Sequence, residues 1–390
     1  MKEFTIYLTL KCNFMCHYCY EKYNNFYDEN KVTDMSIEML DSVLNYIINN
    51  TNDNEVVMIG FLGGEPLLKS ELIVYTVKFL DQHGGNRNFK YKITTNGSII
   101  TDSLIDIFTE KKFNISISLD GDEKCNNRNR ISCNGINYYP FIINKAQSLL
   151  KQNCNVTIRM TVAINNIPHM YENFLFFYNM GFKKIFLFFD STAAFNNIDY
   201  TNIQNEMEKF SKFYLESTDD ELIVNLLNYT HQFLIFDTPK GFGICNGGKT
   251  NFKIMPSGNI YPCSAVIGDE YFIIGNVRYG RSKKISDIIL NRNMILSTPK
   301  NRCNIDNCSI CGFCNAIKCG YINYTETGYM NYCSNIRCTQ QKILYEINHK
   351  IVETMLQNND SRLTKYFDFA KSKDINLSPL AMQYHNMEEL

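Results

Sequence analysis

The sequence predicts an α/β protein: an open (β/α)6 partial TIM barrel, then a small cysteine-rich domain with a β-hairpin and a C-terminal helix. Strand-like and helix-like segments alternate through the first 235 residues, which indicates parallel β/α units because short loops cannot join parallel strands. Nine cysteines then fall between residues 245 and 338, and helical periodicity returns after them. Six predicted strands are fewer than the eight of a closed TIM barrel, so we expect an open barrel.

The barrel strands are predicted from apolar alternation, as between Phe4 and Leu10, and from short buried runs. The six predicted strands are Glu3–Leu10, Val56–Leu62, Lys90–Thr94, Phe113–Leu119, Asn155–Val162 and Lys184–Phe189. The helices between them follow apolar stripes of helical period, and Asp34 or Ser36 can cap the first one. The predicted helices are Met35–Ile48, Glu71–Gln82, Thr101–Lys111, Tyr138–Lys151 and Pro168–Met180.

The organisation changes after about Asp237, where regular helical periodicity stops. Two strand-like segments, Phe252–Met255 and Ile260–Ala265, flank a Pro-Ser-Gly-Asn turn, which predicts a β-hairpin. The amphipathic segment Thr339–Gln357 predicts a helix that either packs on the barrel or binds a partner. We therefore expect a core domain at residues 1–236, an auxiliary domain at 237–339 and a helical tail at 340–390.

Composition excludes several classes of function. The chain of 390 residues has 39 basic and 40 acidic residues, so it carries no electrostatic footprint for nucleic acid or an anionic membrane. No apolar run reaches the ~18 residues of a spanning helix, and the start is too short and too polar for a signal peptide. We expect a cytoplasmic protein, in which 15 cysteines point to metal rather than to disulfides.

A loop directly after the first predicted strand carries the most informative motif. Cys12, Cys16 and Cys19 form a C-x3-C-x2-C pattern, and the next cysteine is Cys125. Three thiolates can hold three irons of a [4Fe–4S] cube, so a missing fourth leaves one iron open for a substrate or cofactor. A zinc knuckle or stray buried cysteines would be the plainer alternative, but zinc sites usually use a second C-x2-C pair or two histidines. We expect His17 to be an exposed neighbour rather than a ligand.

This loop, with Phe14 and Tyr18 beside the cysteines, resembles the radical S-adenosylmethionine (radical SAM) superfamily. The resemblance implies that the open iron chelates the amino and carboxylate groups of SAM. An electron from the reduced cluster then cleaves SAM, and the 5′-deoxyadenosyl radical removes a hydrogen atom from the substrate. The resemblance also implies an external electron donor of the flavodoxin or ferredoxin type.

Further residues match the SAM site of that superfamily. Gly63, Gly64 and Glu65 end the second strand, where glycines allow a ligand close to the backbone and the carboxylate suits an ammonium group. Alone, these residues would indicate only a strand-ending turn. The resemblance places Ser118 and Asp120 near the SAM ribose and the substrate pocket, and places Arg130 near the SAM carboxylate. The residues predicted to bind SAM are Tyr18, Gly63, Gly64, Glu65, Asn96, Ser118, Asp120 and Arg130, with Arg159 and Asn165 as further candidates.

The late cysteines resemble the SPASM extension, which carries two auxiliary [4Fe–4S] clusters. Cys245 and Cys263 fit its opening element, but the spacings after Cys311 depart from the family. Two clusters need eight thiolates and nine are present, so at least one is spare or one ligand assignment differs from the family. The resemblance implies that Cys245 and Cys263, with Cys314 or Cys319, serve the nearer cluster. It implies that Cys308 and Cys311, with Cys303 or Cys314 and a late cysteine, serve the farther one.

The full set of predicted auxiliary ligands is Cys245, Cys263, Cys303, Cys308, Cys311, Cys314, Cys319, Cys333 and Cys338. A zinc ribbon over residues 303–319 is the alternative. We expect the remaining cysteines to be thiols or core residues, of which the first two could touch substrate: Cys125, Cys133 and Cys154.

The predicted function is modification of a ribosomally made peptide or protein by a thioether or carbon–carbon cross-link, since SPASM enzymes mostly act on peptides. The alternatives are an anaerobic sulfatase maturase, which makes formylglycine, modification of a small molecule, and a non-enzymatic iron–sulfur electron carrier. An electron carrier needs no SAM site, so the Gly63-Gly64-Glu65 motif argues against it. Only 11 residues precede Cys12, so we expect no leader-binding domain there.

Overall fold

The computed structural model describes residues 1–22, 32–237, 246–282, 308, 310, 314, 319–330 and 332–385. The chain clusters into two compact units. The first unit comprises Met1–Thr161, Asn179–Phe182 and Asn246–Asn291, and the second comprises Val162–Tyr178, Lys183–Cys245 and Arg292–Leu390. The domain boundaries after residues 236 and 339 stay a prediction.

The strands, in chain order, are β1 Lys2–Thr9, β2 Val56–Gly63, β3 Asn88–Thr95, β4 Asn114–Ser118, β5 Asn155–Val162, β6 Lys184–Phe189, β7 Ile223–Val224, β8 Asn251–Ile254, β9 Asn259–Tyr261, β10 Gly275–Asn276 and β11 Gly280–Arg281. In the first unit, β1 to β5 pair in parallel and in sequence order. All six predicted strands are present, two of them at the predicted boundaries, so the predicted α/β class with a parallel sheet is confirmed.

The α-helices, in chain order, are α1 Ile37–Asn49, α2 Ser70–His83, α3 Asp102–Glu110, α4 Glu123–Asn129, α5 Tyr139–Lys151, α6 Met170–Asn179, α7 Asn197–Glu216, α8 Asn225–Ile235, α9 Gly320–Thr327, α10 Asn335–Gln357, α11 Thr364–Lys373 and α12 Pro379–His385. Ser36 caps α1, because its hydroxyl accepts a hydrogen bond from the Met39 N–H. The predicted helix at Pro168 begins instead as a 3-10 helix, Ile164–His169, before α6.

The predicted hairpin extends the parallel sheet of the first unit. Strand β8 pairs in parallel with β1, and the ring centroids of Phe4 and Phe252 lie 5.2 Å apart across that pair. Strand β9 returns antiparallel after a turn in which Gly258 has a φ of +82°. The hairpin is therefore confirmed, and it carries Cys263 just beyond β9.

The second unit contains a long helix, α7, that was not among the predicted helices. Asn196 and Asp199 form a capping box at the start of α7, and one face of this helix is buried through Ile203, Met207 and Phe210. The predicted tail helix is confirmed as α10, which starts four residues early because Ser334 caps it. Among the described residues, no helix is both long and apolar enough to cross a membrane.

His231 is a fully buried histidine of the second unit. It lies on α8, and its ring stands edge-on to Tyr214 at a centroid distance of 5.3 Å. Burial, reinforced by the charges of Arg362 and Lys365, lowers the pKa of His231 from 6.5 to about 3. The folded protein thus holds this imidazole neutral at pH values where the unfolded chain protonates it.

Acid should therefore destabilise the second unit through His231. The unfolded state binds the proton first, so stability falls as the pH drops below about 6.5 toward 3. At about pH 5 the loss is roughly 2 kcal/mol relative to pH 7. The replacement His231→Phe should remove this component from urea unfolding measured at the two pH values, whereas the half-exposed control His169→Gln should retain it. Equal pH dependence in both variants would contradict the assignment.

Candidate active site

The three-cysteine loop follows β1 and is held by backbone hydrogen bonds. The Met15 N–H donates to the Ile131 carbonyl at 2.7 Å, and the His17 N–H donates to the Asn129 carbonyl at 3.0 Å. The thiols of Cys12, Cys16 and Cys19 are each half-buried, while His17 is exposed as expected. The loop conformation therefore depends on the segment after α4 as well as on the cysteines.

The surroundings of Cys12 fit a metal-bound thiolate. The Phe14 N–H points at its sulfur at 3.4 Å, and the Asn96 side-chain amide does so at 3.9 Å. Burial raises the pKa of the Cys12 thiol, so a bound metal is what would favour the thiolate there. Among the described residues, no three ligand side chains are gathered for a single ion. The thiolates of a [4Fe–4S] cube bind different irons, so they stand farther apart than the ligands of one ion.

The Gly63-Gly64 segment packs directly against the start of this loop. The Gly64 N–H donates to the Thr9 carbonyl at 3.0 Å, and the Glu65 N–H donates to the Lys11 carbonyl at 2.8 Å. A Cβ atom at Gly63 would lie 2.1 Å from the Thr9 oxygen, and one at Gly64 would lie 2.2 Å from the Lys11 oxygen. Only glycine allows these two backbones to approach so closely.

The Glu65 carboxylate has partners within the protein. Its oxygens accept hydrogen bonds from the Thr95 hydroxyl at 2.6 Å, the Asn96 N–H at 2.7 Å and the Leu67 N–H at 3.0 Å. The side chain is 1% exposed, and burial raises the pKa of Glu65 to about 7 although these hydrogen bonds lower it. The carboxylate thus anchors the end of β3, and its contact with the ammonium group of SAM stays a prediction, as does ligand contact by the Gly63 and Gly64 backbone.

A second buried carboxylate, Asp120, ties the loop to the ends of β4 and β5. One Asp120 oxygen accepts from the Arg130 guanidinium at 2.8 Å and from the Thr161 N–H at 2.8 Å. The other accepts from the Tyr18 hydroxyl, and the Arg130 guanidinium lies 5.3 Å from the Tyr18 ring centroid. The charge of Arg130 is thus neutralised by Asp120, so its predicted contact with the SAM carboxylate would use a guanidinium that is already paired.

The other predicted SAM-site residues are divided between the two units. Ser118 ends β4 and is in register with Arg159 on β5, where both side chains are half-buried. Asn96 follows β3 and is 8% exposed. Asn165 is exposed in the second unit. The structure therefore brings the cysteine loop, the glycine motif, Asn96, Ser118 and Asp120 to the carboxyl ends of adjacent parallel strands, where ligands bind in α/β folds.

The predicted auxiliary ligands are only partly described. Cys263 lies in the first unit, with the Ala265 N–H 3.5 Å from its sulfur. In the second unit, the Cys338 sulfur lies 4.0 Å from the Cys333 carbonyl oxygen, and a hydrogen bond with the Cys338 thiol raises the pKa of Cys333. Cys308, Cys314 and Cys319 are half-buried. Cys245, Cys303 and Cys311 lie outside the described residues, and the ligand sets stay a prediction.

The cysteines without a predicted ligand role differ in exposure. Cys125 is 4% exposed, which suits a core residue. Cys133 is exposed, and its thiol lies 3.7 Å from the Cys12 carbonyl oxygen. Cys154 is half-buried beside the Thr109 hydroxyl at 3.2 Å.

Three polar residues of this site escaped the sequence analysis. Asn13 and Ser98 hydrogen-bond to each other at 2.8 Å although they are 85 positions apart in the chain. Glu21 is 7% exposed, and burial together with the charge of Glu65 raises its pKa to about 8. Asn13 stands inside the cysteine motif and Ser98 follows the Thr-Thr-Asn-Gly turn, so position in these motifs was the available signal.

Loss of the Asp120 charge should destabilise the first unit more than loss of an exposed carboxylate. The replacement Asp120→Asn leaves the buried Arg130 guanidinium unpaired, which should cost about 3 kcal/mol of unfolding free energy. The control Asp102→Asn breaks an ion pair with Lys145 in which the carboxylate is 89% exposed, and it should cost less than about 1 kcal/mol. Urea unfolding measures both, and equal costs would contradict the anchoring role of Asp120.

Comparison with known proteins places this site in a family context. Residues 6–177 match the model of the Radical SAM superfamily. The cysteine-type anaerobic sulfatase-maturating enzyme of Clostridium perfringens strain 13 is 22% identical over 303 residues, covering 74% of this chain and 80% of that protein. The radical SAM cyclopropyl synthase TigE of Paramaledivibacter caminithermalis is 24% identical over 329 residues, covering 80% and 66%.

Two solved structures show the same fold. Native anSMEcpe with bound AdoMet and Cp18Cys peptide superposes with a TM-score of 0.72 at 19% identity, covering 92% of this chain and 99% of that one. Streptococcus suis SuiB bound to precursor peptide SuiA gives a TM-score of 0.54 at 16% identity, covering 86% and 75%. At these identities the likeness establishes the fold alone.

Proposed function

We propose that this chain, whose residues 6–177 match the Radical SAM superfamily, cleaves S-adenosylmethionine to modify a ribosomally made peptide or protein. One observation carries this proposal: the Cys12–Cys19 loop and the Gly63-Gly64 segment are joined backbone to backbone at the carboxyl ends of β1 and β2. A three-cysteine loop without that neighbouring segment would suit an electron carrier equally well.

The residues of the first unit would have three separate roles. Cys12, Cys16 and Cys19 would hold a [4Fe–4S] cluster, which when bound and reduced supplies the electron that cleaves SAM to a 5′-deoxyadenosyl radical. Gly63 and Gly64 let the end of β2 lie against the loop, and their backbone would face the methionine end of SAM. Glu65 and Asp120 fix the strand ends and the loop from the protein side.

Peptide or protein as substrate is supported by the relatives. The anSMEcpe and SuiB structures were each solved with a peptide, and TigE is named a cyclopropyl synthase. We propose a thioether or carbon–carbon cross-link as the product. Formation of such a bond removes one hydrogen atom to 5′-deoxyadenosine and a second as a proton and an electron. Auxiliary clusters on the late cysteines are the proposed acceptor of that electron, and a flavodoxin or ferredoxin is the proposed external donor.

Sulfatase maturation is the second candidate function. Three relatives of 22 to 24% identity, each aligned over about three quarters of this chain, are named cysteine-type anaerobic sulfatase-maturating enzymes. Such an enzyme would convert a cysteine or serine of a protein substrate to formylglycine. The unusual spacing between Cys311 and Cys319 is the sequence feature that favours the first candidate.

Loss of the first cluster should abolish SAM cleavage. After anaerobic reconstitution, the wild type should carry about twelve irons and the Cys12→Ala/Cys16→Ala/Cys19→Ala variant about eight, because one of three [4Fe–4S] clusters is lost. The triple variant should form no 5′-deoxyadenosine with dithionite and SAM, whereas the control Cys154→Ala should match the wild type. Wild-type formation of 5′-deoxyadenosine by the triple variant would refute the cluster assignment.

The two substrate hypotheses give different products. The reconstituted enzyme is incubated with SAM, dithionite and either a cysteine-containing precursor peptide or a sulfatase peptide, and the products are analysed by mass spectrometry. A thioether cross-link appears as the loss of two hydrogens from a peptide that no longer reacts with a thiol reagent. A carbon–carbon cross-link shows the same mass loss but keeps its thiol, and neither product reacts with a hydrazide. Formylglycine appears as an aldehyde that reacts with a hydrazide. An aldehyde product in the sulfatase peptide alone would replace the first candidate with the second.

A further inference from the structure

Three polar side chains beside the cysteine loop, half-buried Asn13 and buried Asn96 and Ser98, form a closed ring of hydrogen bonds, here called the amide ring. The Asn96 amide donates to the Asn13 carbonyl oxygen at 2.8 Å, and the Asn13 amide donates to the Ser98 hydroxyl at 2.8 Å. The Ser98 hydroxyl donates back to the Asn96 carbonyl oxygen at 2.6 Å. Every member donates once and accepts once, so the ring has a single direction.

The amide ring joins the cysteine loop to the end of β3. Asn13 follows Cys12 directly, while Asn96 and Ser98 lie in the turn after β3 and are 8% and 3% exposed. The backbone of Asn96 is held in turn by Glu65, through the N–H bond at 2.7 Å, and the Ser98 N–H donates to the Asn96 side chain at 2.9 Å. The Asn96 side chain is therefore fixed from both the loop and the strand.

This arrangement determines which end of the Asn96 amide faces Cys12. A rotated amide would set its oxygen against the Asn13 oxygen and its NH2 group against the Ser98 N–H, so two hydrogen bonds would be replaced by repulsive contacts. In the observed orientation the amide nitrogen, not the oxygen, lies 3.9 Å from the Cys12 sulfur. The Cys12 sulfur also receives the Phe14 N–H at 3.4 Å, so two N–H dipoles point at it.

We propose that the amide ring is a positioning device that aims the Asn96 N–H at Cys12 and thereby raises the reduction potential of the cluster bound by this loop. An N–H dipole aimed at a ligating sulfur stabilises the extra negative charge of the reduced cluster, and hydrogen bonds to sulfur are among the factors that set these potentials. Asn13 and Ser98 act through Asn96 and touch neither cluster nor substrate. The inference rests on the proposed function, because it requires a cluster at Cys12.

The test measures a potential rather than activity alone. Asn13→Ala and Ser98→Ala open the ring at different members and leave Asn96 and all cysteines in place. The EPR signal that changes on addition of SAM identifies the cluster of this loop, and its redox titration gives the midpoint potential. Each variant should lower the equilibrium constant for reduction about three- to tenfold, where tenfold corresponds to about 59 mV for one electron.

Two matched variants separate this role from a general loss of loop structure. Asn134→Ala removes an exposed asparagine of the neighbouring loop, whose amide donates to the Tyr138 hydroxyl at 3.0 Å, and it should leave the potential unchanged. Ser98→Thr keeps the hydroxyl donor and should restore a potential within twofold of the wild-type equilibrium constant. Recovery by Ser98→Thr is not expected if only the loss of packing matters.

The remaining outcomes would each overturn either the inference or the proposed function. If both alanine variants carry the cluster at the wild-type potential, the amide ring does not tune it and the inference is overturned. If both lose the cluster while Asn134→Ala keeps it, the ring serves assembly instead, and the inference is likewise overturned. If the wild-type protein itself binds no reducible cluster that responds to SAM, the proposed function fails first.

Discussion

The close approach of two backbones is the constraint on which the candidate site depends. The glycine pair at the end of β2 lies against Thr9 and Lys11, at distances where a Cβ atom would overlap their carbonyl oxygens. That contact fixes the cysteine loop relative to the parallel sheet, and the bond from the Glu65 N–H to Lys11 continues it. Because Gly63 and Gly64 have no side chains, the chain just before Cys12 can pack against the end of β2, and this contact positions Cys12.

Buried carboxylates then secure the strand ends around this contact. Glu65 and Asp120 are each 1% exposed and accept three hydrogen bonds, chiefly from neighbouring strand ends and from the loop. Buried polar groups need such partners, since an unsatisfied one costs free energy. Both carboxylates therefore act as internal anchors that hold the strand ends and the loop in place.

The family and the proposed reaction have different kinds of support. The match to the Radical SAM superfamily model spans residues 6–177, and the fold is shared with anSMEcpe. The choice between cross-linking and formylglycine formation depends on substrate contacts and on the late cysteines, of which Cys245, Cys303 and Cys311 lie outside the described residues. The proposed reaction class therefore rests on the loop and the glycine motif, whereas the proposed product rests on elements farther along the chain.

The sequence by itself determined what short-range patterns encode. Apolar alternation and short buried runs located all six predicted strands, and the C-x3-C-x2-C spacing located the cysteine loop. Both signals depend only on residues that are neighbours in the chain. Helix α7 was not predicted, although Ile203, Met207 and Phe210 follow helical spacing and a capping box starts the helix. Tertiary structure alone decided that Glu65 anchors β3, that Asp120 pairs with Arg130, and that Asn13 meets Ser98. The partners of these side chains lie ten or more positions away in the chain. Their spacing in the sequence does not show which donor the fold brings to each acceptor.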